Sequence, residues 1–427
     1  MQTKAPRGTY DILPPDTGMW QYIEAILKET AENFGYREIR TPIFEHTELF
    51  ERGVGTSTDI VTKEMYTFKD KSSRSLTLRP ENTASCVRAL IEHNIYSGIM
   101  PAKWYYIGPM FRYDRPQTGR YRQFHQFGVE AFGSNNPYLD AEVIILLIEI
   151  LNRLGLVDYE LHINSVACPQ CREVYRQKLI DHITPVKAKL CGDCQIRYQQ
   201  NPLRVLDCKE KNCHDAIFNY PTLAEYLCTD CTRHYNAVKE ALVRNNIRFQ
   251  HDDKLVRGLD YYTNTAFEVL IPGIGAQSAV GGGGRYNGLV EECGGPNLPG
   301  IGFAMGIERL LLAVNTLAAF KADDSKTDVF VTIMNAGYEL QALEILTCLR
   351  RAGIKADKDY MDRSGRSQMK YADKLGARLV IIIGEEEVNK GLVTVRDMQG
   401  KEQVQVDNND IINFIKQRLA LEEATGR

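Results

Sequence analysis

The sequence predicts an α+β catalytic domain, with an antiparallel sheet flanked by helices, together with a cysteine-rich insertion domain and a C-terminal α/β domain. Three observations predict this fold class. Aromatic, partly alternating segments surround an arginine-rich loop between residues 111 and 130, as in a pair of strands. Eight of the eleven cysteines lie between Cys168 and Cys231. From residue 328 onward, strand patterns alternate with helix patterns, which is typical of parallel βαβ units.

Length and charge restrict the possible functions. A chain of 427 residues with 44% hydrophobic content can bury at least two cores. The formal net charge of -3 excludes a domain-wide basic surface, so any contact with nucleic acid must come from local patches. No apolar run approaches the length of a bilayer span, and the N-terminus has no apolar signal core. We therefore expect a cytoplasmic protein with no membrane partner.

The elements before the arginine-rich loop follow from the spacing of apolar residues. A helix from residue 16 or 17 to 34 has its apolar residues on one side. A short strand turned by Pro42 comes next, and residues 64–69 and 74–79 alternate like a strand pair. An amphipathic helix is expected from residue 83 to about 93.

The arginine-rich loop is the most informative segment. It places Arg112, Arg115, Arg120 and Arg122 within eleven positions, without a lysine. Arginine offers a planar fork of donors that matches phosphate or carboxylate two bonds at a time, whereas lysine acts as a solvated point charge. Residues 116–119 read as the turn between two antiparallel strands. The sequence therefore predicts an arginine-lined hairpin for shaped anion recognition, with a solvated basic loop as the alternative.

A long apolar helix from 139 to 154 precedes the cysteine-rich segment. The cysteine pairs are Cys168/Cys171, Cys191/Cys194, Cys208/Cys213 and Cys228/Cys231. The first two pairs, nineteen residues apart, fit a zinc-ribbon pattern, and the last two are spaced to close a second site, although the pairing stays open. Disulfides and plain buried thiols are the alternatives. Four thiolates leave no open ligand position, so we expect structural sites, and we expect metal loss to unfold this segment before it affects chemistry.

Strand patterns return at residues 256–270 and 276–280 and run into glycines 281–284. These glycines allow close backbone approach, and Glu308 and Arg309 lie just inside a helix whose N-terminal dipole favours anions. The segment RGLDYY, 257–262, places an arginine, an acid and two phenols on otherwise buried β-structure, so a functional and a core interpretation both stay open. The chain has no P-loop and no Rossmann fingerprint.

The polar segment 321–327 suits a linker. Beyond it we expect, in order, a strand at DVFVTIM, a helix from 339 to 351, a strand at IKADKDY, a helix from 368 to 375 and a strand at RLVIIIG. The expected domains are a discontinuous catalytic domain at 1–165 and 250–320, an insertion domain at 166–249 and a C-terminal domain at 327–427.

Several motifs, which follow the family's order along the chain, resemble those of the bacterial histidyl-tRNA synthetases, a family of class II aminoacyl-tRNA synthetases. TPIFE resembles motif 1, FRYDRPQTGRYRQFHQFGVE motif 2 and GIGFAMGIERL motif 3. RGLDYY and GGGRYNG resemble the two histidine-specific motifs, and LTLRPENTA resembles the amino-acid-binding turn. Two departures are Asn82, where the pattern usually has glycine, and the cysteine pairs in the insertion.

The resemblance implies an activity. L-Histidine would react with ATP, accompanied by Mg²⁺, to give histidyl-adenylate and pyrophosphate, and histidine would then pass to the 3′ end of tRNA(His). Motif 1 would build a homodimer interface, and the C-terminal domain would bind the anticodon. The insertion would lie against the acceptor stem. Its expected metal, Zn²⁺, follows from the cysteine spacing alone and not from the resemblance. No editing domain is expected, because a site that hydrogen-bonds both imidazole nitrogens already rejects apolar amino acids.

The resemblance also implies residue roles. Arg257 and Arg112 would be the catalytic cations. ATP would be bound by Arg112, Arg120, Phe124, Glu308 and Arg309, and histidine by Glu81, Thr83, Arg112, Gln126, Glu130, Arg257, Tyr261 and Tyr262. Arg115 and Gln117 would face the acceptor end of the tRNA. Arg122 receives no role.

Two other functions are compatible with parts of the pattern. A histidine-binding regulatory paralogue of histidine biosynthesis would keep the fold and lose catalytic parts, whereas the arginines named above and a C-terminal domain are all present here. A class II synthetase for another amino acid would fit the three general motifs but neither RGLDYY nor GGGRYNG.

Overall fold

A computed structural model describes residues 3–14, 16–55, 58–206, 208, 210–255, 261–275, 278–317 and 327–424. The chain divides into two compact units, Met1–Phe320 and Lys321–Arg427. Most of the predicted linker, residues 321–326, lies outside the described residues. Among the described residues, no helix is long and apolar enough to cross a membrane.

The strands of the first unit fall into two sheets. In chain order they are β1 Arg37–Glu38, β2 Phe44–His46, β3 Tyr66–Lys69, β4 Ser75–Leu78, β5 Ala102–Phe111, β6 Gln123–Phe132, β7 Glu160–Ser165, β8 Gln250–His251, β9 Thr263–Leu270, β10 Ala279–Arg285 and β11 Gly300–Gly306. The described part of the unit has an eight-stranded sheet in the order β1-β5-β6-β11-β10-β9-β7-β8 and a three-stranded sheet in the order β2-β4-β3.

The helices of this unit surround the larger sheet. They are α1 Asp16–Asn33, α2 Thr47–Val54, α3 Thr83–Glu92, α4 Pro137–Arg153, α5 Pro169–Ile183, α6 Gly192–Gln200, α7 Lys211–Ala216, α8 Thr229–Arg244, α9 Leu289–Glu292 and α10 Ile307–Leu317. Shorter turns are π-helical at Ile60–Glu64 and 3₁₀-helical at Ile95–Ser97, Thr184–Lys189, Pro202–Val205 and Leu223–Tyr226. Helix α4 packs against both α1 and α8.

The larger sheet confirms the predicted antiparallel fold class. All inner strand pairs are antiparallel, and parallel pairing occurs only at the edges, between β1 and β5 and between β7 and β8. The predicted arginine hairpin is formed by β5 and β6, whose first cross-strand pair is Phe111 with Gln123. Strands β3 and β4 also pair as expected.

One expectation about the glycines needs correction. Glycines 281–284 do not follow a strand but lie inside β10, in the middle of the sheet. A Cβ atom on Gly283 would lie 2.0 Å from the carbonyl oxygen of Gly302 on the neighbouring strand. A run without side chains shows no alternation, which is why the pattern gave no strand signal here.

The insertion contains α5 to α8, and three of these helices begin directly after a cysteine: Cys168, Cys191 and Cys228. The cysteines form two groups of four, in which the ligand atoms lie within 4.8 Å of one another. The inner cluster is Cys168, Cys171, Cys228 and Cys231, and the outer cluster is Cys191, Cys194, Cys208 and Cys213. The first pair therefore meets the fourth and the second meets the third, which corrects the grouping suggested by sequence order.

The second unit has its own sheet and core. Its elements are β12 Val329–Ile333, α11 Glu339–Arg351, β13 Ala356–Lys358, α12 Gly365–Lys374, β14 Leu379–Ile383, α13 Glu385–Lys390, β15 Leu392–Asp397, β16 Gln403–Asp407 and α14 Ile411–Ala424. The sheet order is β13-β12-β14-β15-β16. The three predicted strands pair in parallel as expected, but the antiparallel strands β15 and β16 extend the sheet beyond the prediction.

Candidate active site

A cavity of about 480 Å³ opens on one face of the larger sheet. Its walls come from the start of α3, the β5–β6 hairpin, residues just before β9, strands β10 and β11, and the start of α10. Eleven of the residues predicted from the sequence line it: Glu81, Thr83, Arg112, Arg120, Phe124, Gln126, Glu130, Tyr261, Tyr262, Glu308 and Arg309. This volume is within the range typical of small-molecule sites.

Strand β6 contributes a row of side chains to the cavity. Phe124, Gln126 and Glu130 lie at alternate positions, so they project from the same face of the strand. The neighbouring strand places Gly302 opposite Glu130, and a Cβ atom there would lie 2.1 Å from Glu130 Oε2. Small residues on β10 and β11 thus leave the space that forms the cavity.

An acidic group occupies one part of the cavity. Glu81 accepts hydrogen bonds from the backbone N–H groups of Thr83 (2.7 Å) and Ala84 (2.9 Å), so its carboxylate caps the N-terminus of α3. Glu130 accepts from the Thr83 hydroxyl at 2.7 Å and from the Tyr286 hydroxyl. Each buried carboxylate is therefore held by fixed donors.

Burial raises the pKa of both acids. Desolvation raises the pKa of Glu130 to about 8, because the hydrogen bonds from Tyr286 and Thr83 offset only part of the penalty and the charge of Glu81 adds to it. Desolvation also raises the pKa of Glu81, although its backbone hydrogen bonds oppose the change. A cationic ligand beside this pair would be stabilised most when both are ionised.

Three tyrosines form the wall next to the acids. The rings of Tyr261 and Tyr262 lie 4.7 Å apart, and the ring of Tyr261 meets that of Tyr286 edge-on at 5.7 Å. All three are buried, and burial raises the pKa of Tyr261 and Tyr286 well above the ordinary value. At neutral pH their hydroxyls are therefore protonated and able to donate.

Gln126 presents an unpaired acceptor. Its Oε1 atom is buried and has no hydrogen-bond partner within the described part of the chain. Buried polar atoms in folded proteins are almost always paired. Gln126 lines the same cavity as the acids, so a ligand with an N–H or ammonium group would be a partner for its oxygen.

Arginines form the second charged group. The Arg112 guanidinium donates to the carbonyl oxygen of Pro80 at 2.9 Å and lies over the ring of Phe124 at 5.3 Å. Arg309 donates to the carbonyl oxygens of Gly119 (3.1 Å) and Ala279 (2.6 Å). Burial, together with the nearby charges of Arg112 and Arg120, lowers the pKa of Arg309. A polyanion would relieve this repulsion.

The hairpin loop is folded back on itself. Gln117 and Arg120 pair through their backbones at 3.0 and 2.9 Å. The Arg120 side chain contacts Asp114 and lies 3.8 Å from Glu64, so acids partly neutralise its charge. Arg115 and Gln117 are exposed at the loop tip, outside the cavity lining.

Glu308 holds the hairpin to α10. Its carboxylate accepts from the backbone N–H of His125 at 2.9 Å and lies 3.0 Å from His125 Nδ1. Arg122 ties the loop to the N-terminal segment, because its backbone N–H donates to the carbonyl oxygen of Gly8 at 2.8 Å and its guanidinium lies 3.9 Å from the centre of the Tyr113 ring. These contacts give Arg122 a structural role that the sequence left open.

One residue predicted for the site, Arg257, lies outside the described residues, as do its neighbours from 256 to 260. Sequence reasoning missed Tyr286, although the motif GGGRYNG that contains it was identified. Asn82 does not need glycine's freedom, since its φ is -120° and its Oδ1 accepts from Thr41 Oγ1 at 2.7 Å.

Both cysteine clusters fit a tetrahedral metal. Four sulfurs about 2.3 Å from a zinc ion lie roughly 3.8 Å from one another, and the Sγ atoms of Cys168 and Cys171 are 3.5 Å apart. Backbone N–H groups already point at sulfur: Cys228 N lies 3.1 Å from Cys171 Sγ, and Cys191 N lies 3.2 Å from Cys213 Sγ. Such donors stabilise thiolates rather than disulfides.

An antiparallel sheet with an arginine hairpin, a glycine-lined floor and an arginine at the start of α10 defines the catalytic domain of a class II aminoacyl-tRNA synthetase. Residues 8–170 and 211–310 match the family model described as Histidyl-tRNA synthetase, and residues 328–418 match that described as Anticodon binding domain.

Relatives agree with this assignment over nearly the whole chain. The histidine-tRNA ligase of Syntrophomonas wolfei is 66% identical over 416 residues, 97% of this chain and 99% of its own length. That of Desulforamulus reducens is 54% identical over 98% of this chain and 100% of its own. The apo crystal structure of S. aureus histidyl-tRNA synthetase is 42% identical, covers 97% of this chain and 100% of its own, and superposes with a TM-score of 0.84. The chain belongs to the histidyl-tRNA synthetase family.

Proposed function

We propose that this protein is a histidine-tRNA ligase, which activates L-histidine with ATP and transfers it to the 3′ end of tRNA(His). The observation that carries the proposal is a single cavity with two charged parts: acids, tyrosines and the unpaired Gln126 acceptor in one, and three arginines in the other. An amino acid with a donating side chain suits the first part, and the phosphates of ATP suit the second. Full-length relatives carry the ligase name.

The first step needs positioning and charge stabilisation rather than a general base. An oxygen of the histidine carboxylate attacks the α-phosphorus of ATP, forming a new P–O bond, and the bond to the bridging oxygen breaks so that pyrophosphate leaves. Negative charge spreads over the phosphoryl oxygens during the step, and fixed cations stabilise it. Mg²⁺ that arrives with ATP would supply further positive charge to the phosphates.

The histidine substrate would lie between α3, β6 and the tyrosines. Glu81, Thr83, Gln126 and Glu130 would take its ammonium group, supported by the unpaired Gln126 oxygen. Tyr261 and Tyr262, with Glu130 nearby, would satisfy the imidazole nitrogens. Their burial supports selectivity, because an apolar side chain would leave these groups unpaired.

The arginines would hold ATP. Arg112 would contact the α-phosphate and the substrate carboxylate, and Arg120 and Arg309 the outer phosphates, with Phe124 stacked on adenine. When ATP binds, Arg120 would replace its contacts with the carboxylates of Asp114 and Glu64 by contacts with phosphate oxygens. Both kinds of partner are negatively charged. Glu308 would act on the ATP side by holding His125 in place.

Arg257 is proposed as the catalytic cation, on the strength of its position in RGLDYY alone. It comes four residues before Tyr261 in the chain, a residue that lines the cavity. By the family resemblance, its guanidinium would act near the reacting carboxylate and the α-phosphate.

Contacts with tRNA would use exposed residues. Arg115 and Gln117 at the hairpin tip would face the acceptor end, and the C-terminal unit, matched as an anticodon-binding domain, would take the anticodon. Phosphate contacts set affinity and base contacts set specificity. Because Arg115 is assigned to tRNA and not to ATP, replacing it should weaken the transfer of histidine to tRNA while adenylate formation stays intact.

Each cysteine cluster is proposed to hold one Zn²⁺ ion, supported by the sulfur spacing and the N–H donors. Zinc would supply a closed structural centre, with no part in the chemical step. Elemental analysis of protein prepared without chelator should find it, and protein free of zinc would overturn this part.

We also propose a division into a catalytic domain at 1–165 and 250–320, an insertion at 166–249 and a C-terminal domain at 327–427. A homodimer and a cytoplasmic location are proposed as well.

Exposed apolar side chains on the motif 1 side, Phe44 (51% exposed) and Ile43 (45%), support the dimer. Sedimentation of the wild type and of Phe44→Glu tests it: a dimer that the substitution dissociates is expected, and a monomeric wild type would refute it.

ATP–pyrophosphate exchange measured with each of the twenty amino acids tests the function. Exchange that depends on histidine is expected. No exchange with histidine would refute the proposal and would favour the regulatory paralogue instead. Exchange driven by another amino acid would indicate a synthetase for that amino acid.

A further inference from the structure

The inner cysteine cluster is joined to the catalytic sheet through Asn264 on β9. Asn264 Oδ1 lies 3.6 Å from Cys231 Sγ. Its backbone N–H donates to the carbonyl oxygen of Ala167 at 3.0 Å, and its carbonyl oxygen accepts from Val166 N–H at 2.6 Å. Because Cys168 follows Ala167 directly, both sides of the cluster contact the same residue of the sheet.

The backbone at this junction is constrained. Ala167 (φ 61°) and Asn264 (φ 48°) both have left-handed conformations, which are unfavourable for residues with a Cβ atom. Such residues persist where the surrounding structure imposes their conformation. Here the two are hydrogen-bonded to each other, so the cluster on one side and the sheet on the other must hold them.

Arg172 extends the connection to the histidine-binding tyrosines. It lies in the first turn of α5, where its backbone N–H donates to the carbonyl oxygen of Cys168 at 3.0 Å. Its guanidinium donates to the carbonyl oxygens of Tyr262 and Val166. The helix that leaves the cluster therefore fixes the backbone of Tyr262, whose ring packs on Tyr261.

A second connection runs along α8, which begins directly after Cys228. His234 Nε2 on this helix lies 2.8 Å from Asp140 Oδ2. Asp140 is fully buried and is paired with Arg285, the residue before Tyr286. The inner cluster thus reaches two of the tyrosines of the cavity wall by separate routes.

The outer cluster is differently placed. Its sulfurs accept from Cys191 N–H at 3.2 Å and from Glu210 N–H at 3.4 Å, contacts that stay between residues 190 and 213. These contacts bind the insertion to itself. An ion pair from α6, Arg197 with Asp59 at 3.6 Å, reaches the start of the turn Ile60–Glu64 and not the larger sheet.

We propose that the inner cluster, loaded with zinc, is a positioning device for the histidine-binding tyrosines, acting through Arg172 and Asn264, whereas the outer cluster serves only the fold of the insertion. The proposal rests on the proposed function and on zinc as the metal. With Cys231 bound as a thiolate, the Asn264 amide would turn over and donate N–H to sulfur, as ligand-orienting groups around metals do. The expectation that metal loss unfolds the insertion before it affects chemistry then holds for the outer cluster alone.

Paired substitutions separate the clusters. Cys168→Ser with Cys171→Ser empties the inner cluster, and Cys191→Ser with Cys194→Ser empties the outer one. Zinc per chain, histidine affinity by calorimetry and hydrogen exchange of peptides from residues 261–270 are measured on the full chain. We expect each variant to lose one of two zinc ions, and only the inner variant to bind histidine about 10- to 100-fold more weakly with faster exchange in that peptide. Equal effects of both variants, or inner zinc loss with unchanged affinity and exchange, would overturn the proposal.

A second variant avoids the risk that the cysteine variants misfold. Arg172→Met leaves all eight thiolates in place, and Arg176→Met, one turn further along α5, removes an arginine that pairs only with surface Glu173 at 3.5 Å in the contacts described. Arg172→Met should raise the histidine KM about ten-fold with zinc content and ATP KM unchanged, and Arg172→Lys should restore part of the loss. An unchanged KM, or the same effect from Arg176→Met, would refute the positioning role. Wild-type protein without histidine-dependent exchange would instead defeat the proposed function, independently of these comparisons.

Discussion

Replacing Tyr286 with Phe tests the acidic part of the cavity with the loss of one oxygen atom. The Tyr286 hydroxyl donates to Glu130 Oε2, and Thr83 Oγ1 donates to Glu130 Oε1 at 2.7 Å. Glu130 is only 1% exposed. Burial has already raised its pKa to about 8 against the effect of these two donors. Removing one donor therefore raises the pKa further and keeps the carboxyl group neutral.

The size of the effect follows from the hydrogen bond. A hydrogen bond to a charged group contributes about 1.5–3 kcal/mol, which corresponds to a pKa change of about one to two units. At pH 8 about half of Glu130 is ionised in the wild type, and this fraction would fall to between about one-tenth and one-hundredth. If histidine binds against the carboxylate, its KM should rise about 5- to 50-fold.

The assay is the histidine dependence of ATP–pyrophosphate exchange at pH 8, with the ATP KM measured alongside. Tyr105→Phe is the matched control, since Tyr105 also donates to a carboxylate, Glu32 Oε1 at 3.2 Å, but from the opposite face of the sheet. The control should leave the histidine KM unchanged. A histidine KM for Tyr286→Phe equal to that of the control would refute the role of Glu130.

Three further predictions concern the same site. Arg257→Ala should lower kcat by about two orders of magnitude or more while histidine still binds; near-normal turnover would remove Arg257 from the catalytic role. Gly302→Ala would place a Cβ atom 2.1 Å from Glu130 Oε2 and 2.3 Å from the carbonyl oxygen of Val129, so the carboxylate and the backbone of β6 must both shift; the histidine KM should rise at least about ten-fold and the melting temperature should fall, and an unchanged histidine KM would contradict the geometry. Because the pKa of Glu130 is raised to about 8, the free protein holds a proton there at pH 7 that a cation bound at the carboxylate would expel. Calorimetry in buffers of different protonation enthalpy should find about one proton released at pH 7, fewer above pH 8 and tighter binding as pH rises from 7 to 8; zero release at pH 7 would exclude this account.

The sequence predicted much of the site because short-range periodicity determines it. The alternation along β6 puts Phe124, Gln126 and Glu130 on one face, and the start of α10 carries Arg309. Both features need only local geometry. Tyr286 was missed for a different reason. Tyr286 follows β10 directly, and its hydroxyl reaches Glu130 on β6 across the intervening strand β11, where Gly302 has no side chain in the way. Strand order is a long-range property that one strand pattern does not contain.

The grouping of the cysteine pairs into clusters is also a long-range property that the sequence pattern does not contain. The spacing within each pair predicts that two thiolates face one metal, but it does not say which pairs meet. Helix α5 begins close to the sheet because β7 leads into it, and α8 begins beside β9, where Cys231 Sγ lies 3.6 Å from Asn264 Oδ1. The first and last pairs are therefore brought together, and the two middle pairs meet further along the insertion. Only the packing of the helices decides this.

The groups assigned to the imidazole also explain why this site would need no second, editing site. In the proposed binding mode the side-chain nitrogens of the substrate meet the Tyr261 hydroxyl and the Glu130 carboxyl group, and both residues are buried. An amino acid with an apolar side chain has the same ammonium group but brings no partner for these two contacts, and each lost contact costs about 1–3 kcal/mol. Two such contacts reduce the affinity for a competitor by roughly 30- to 10⁴-fold, whereas a hydrophobic pocket discriminates by only about 10- to 200-fold.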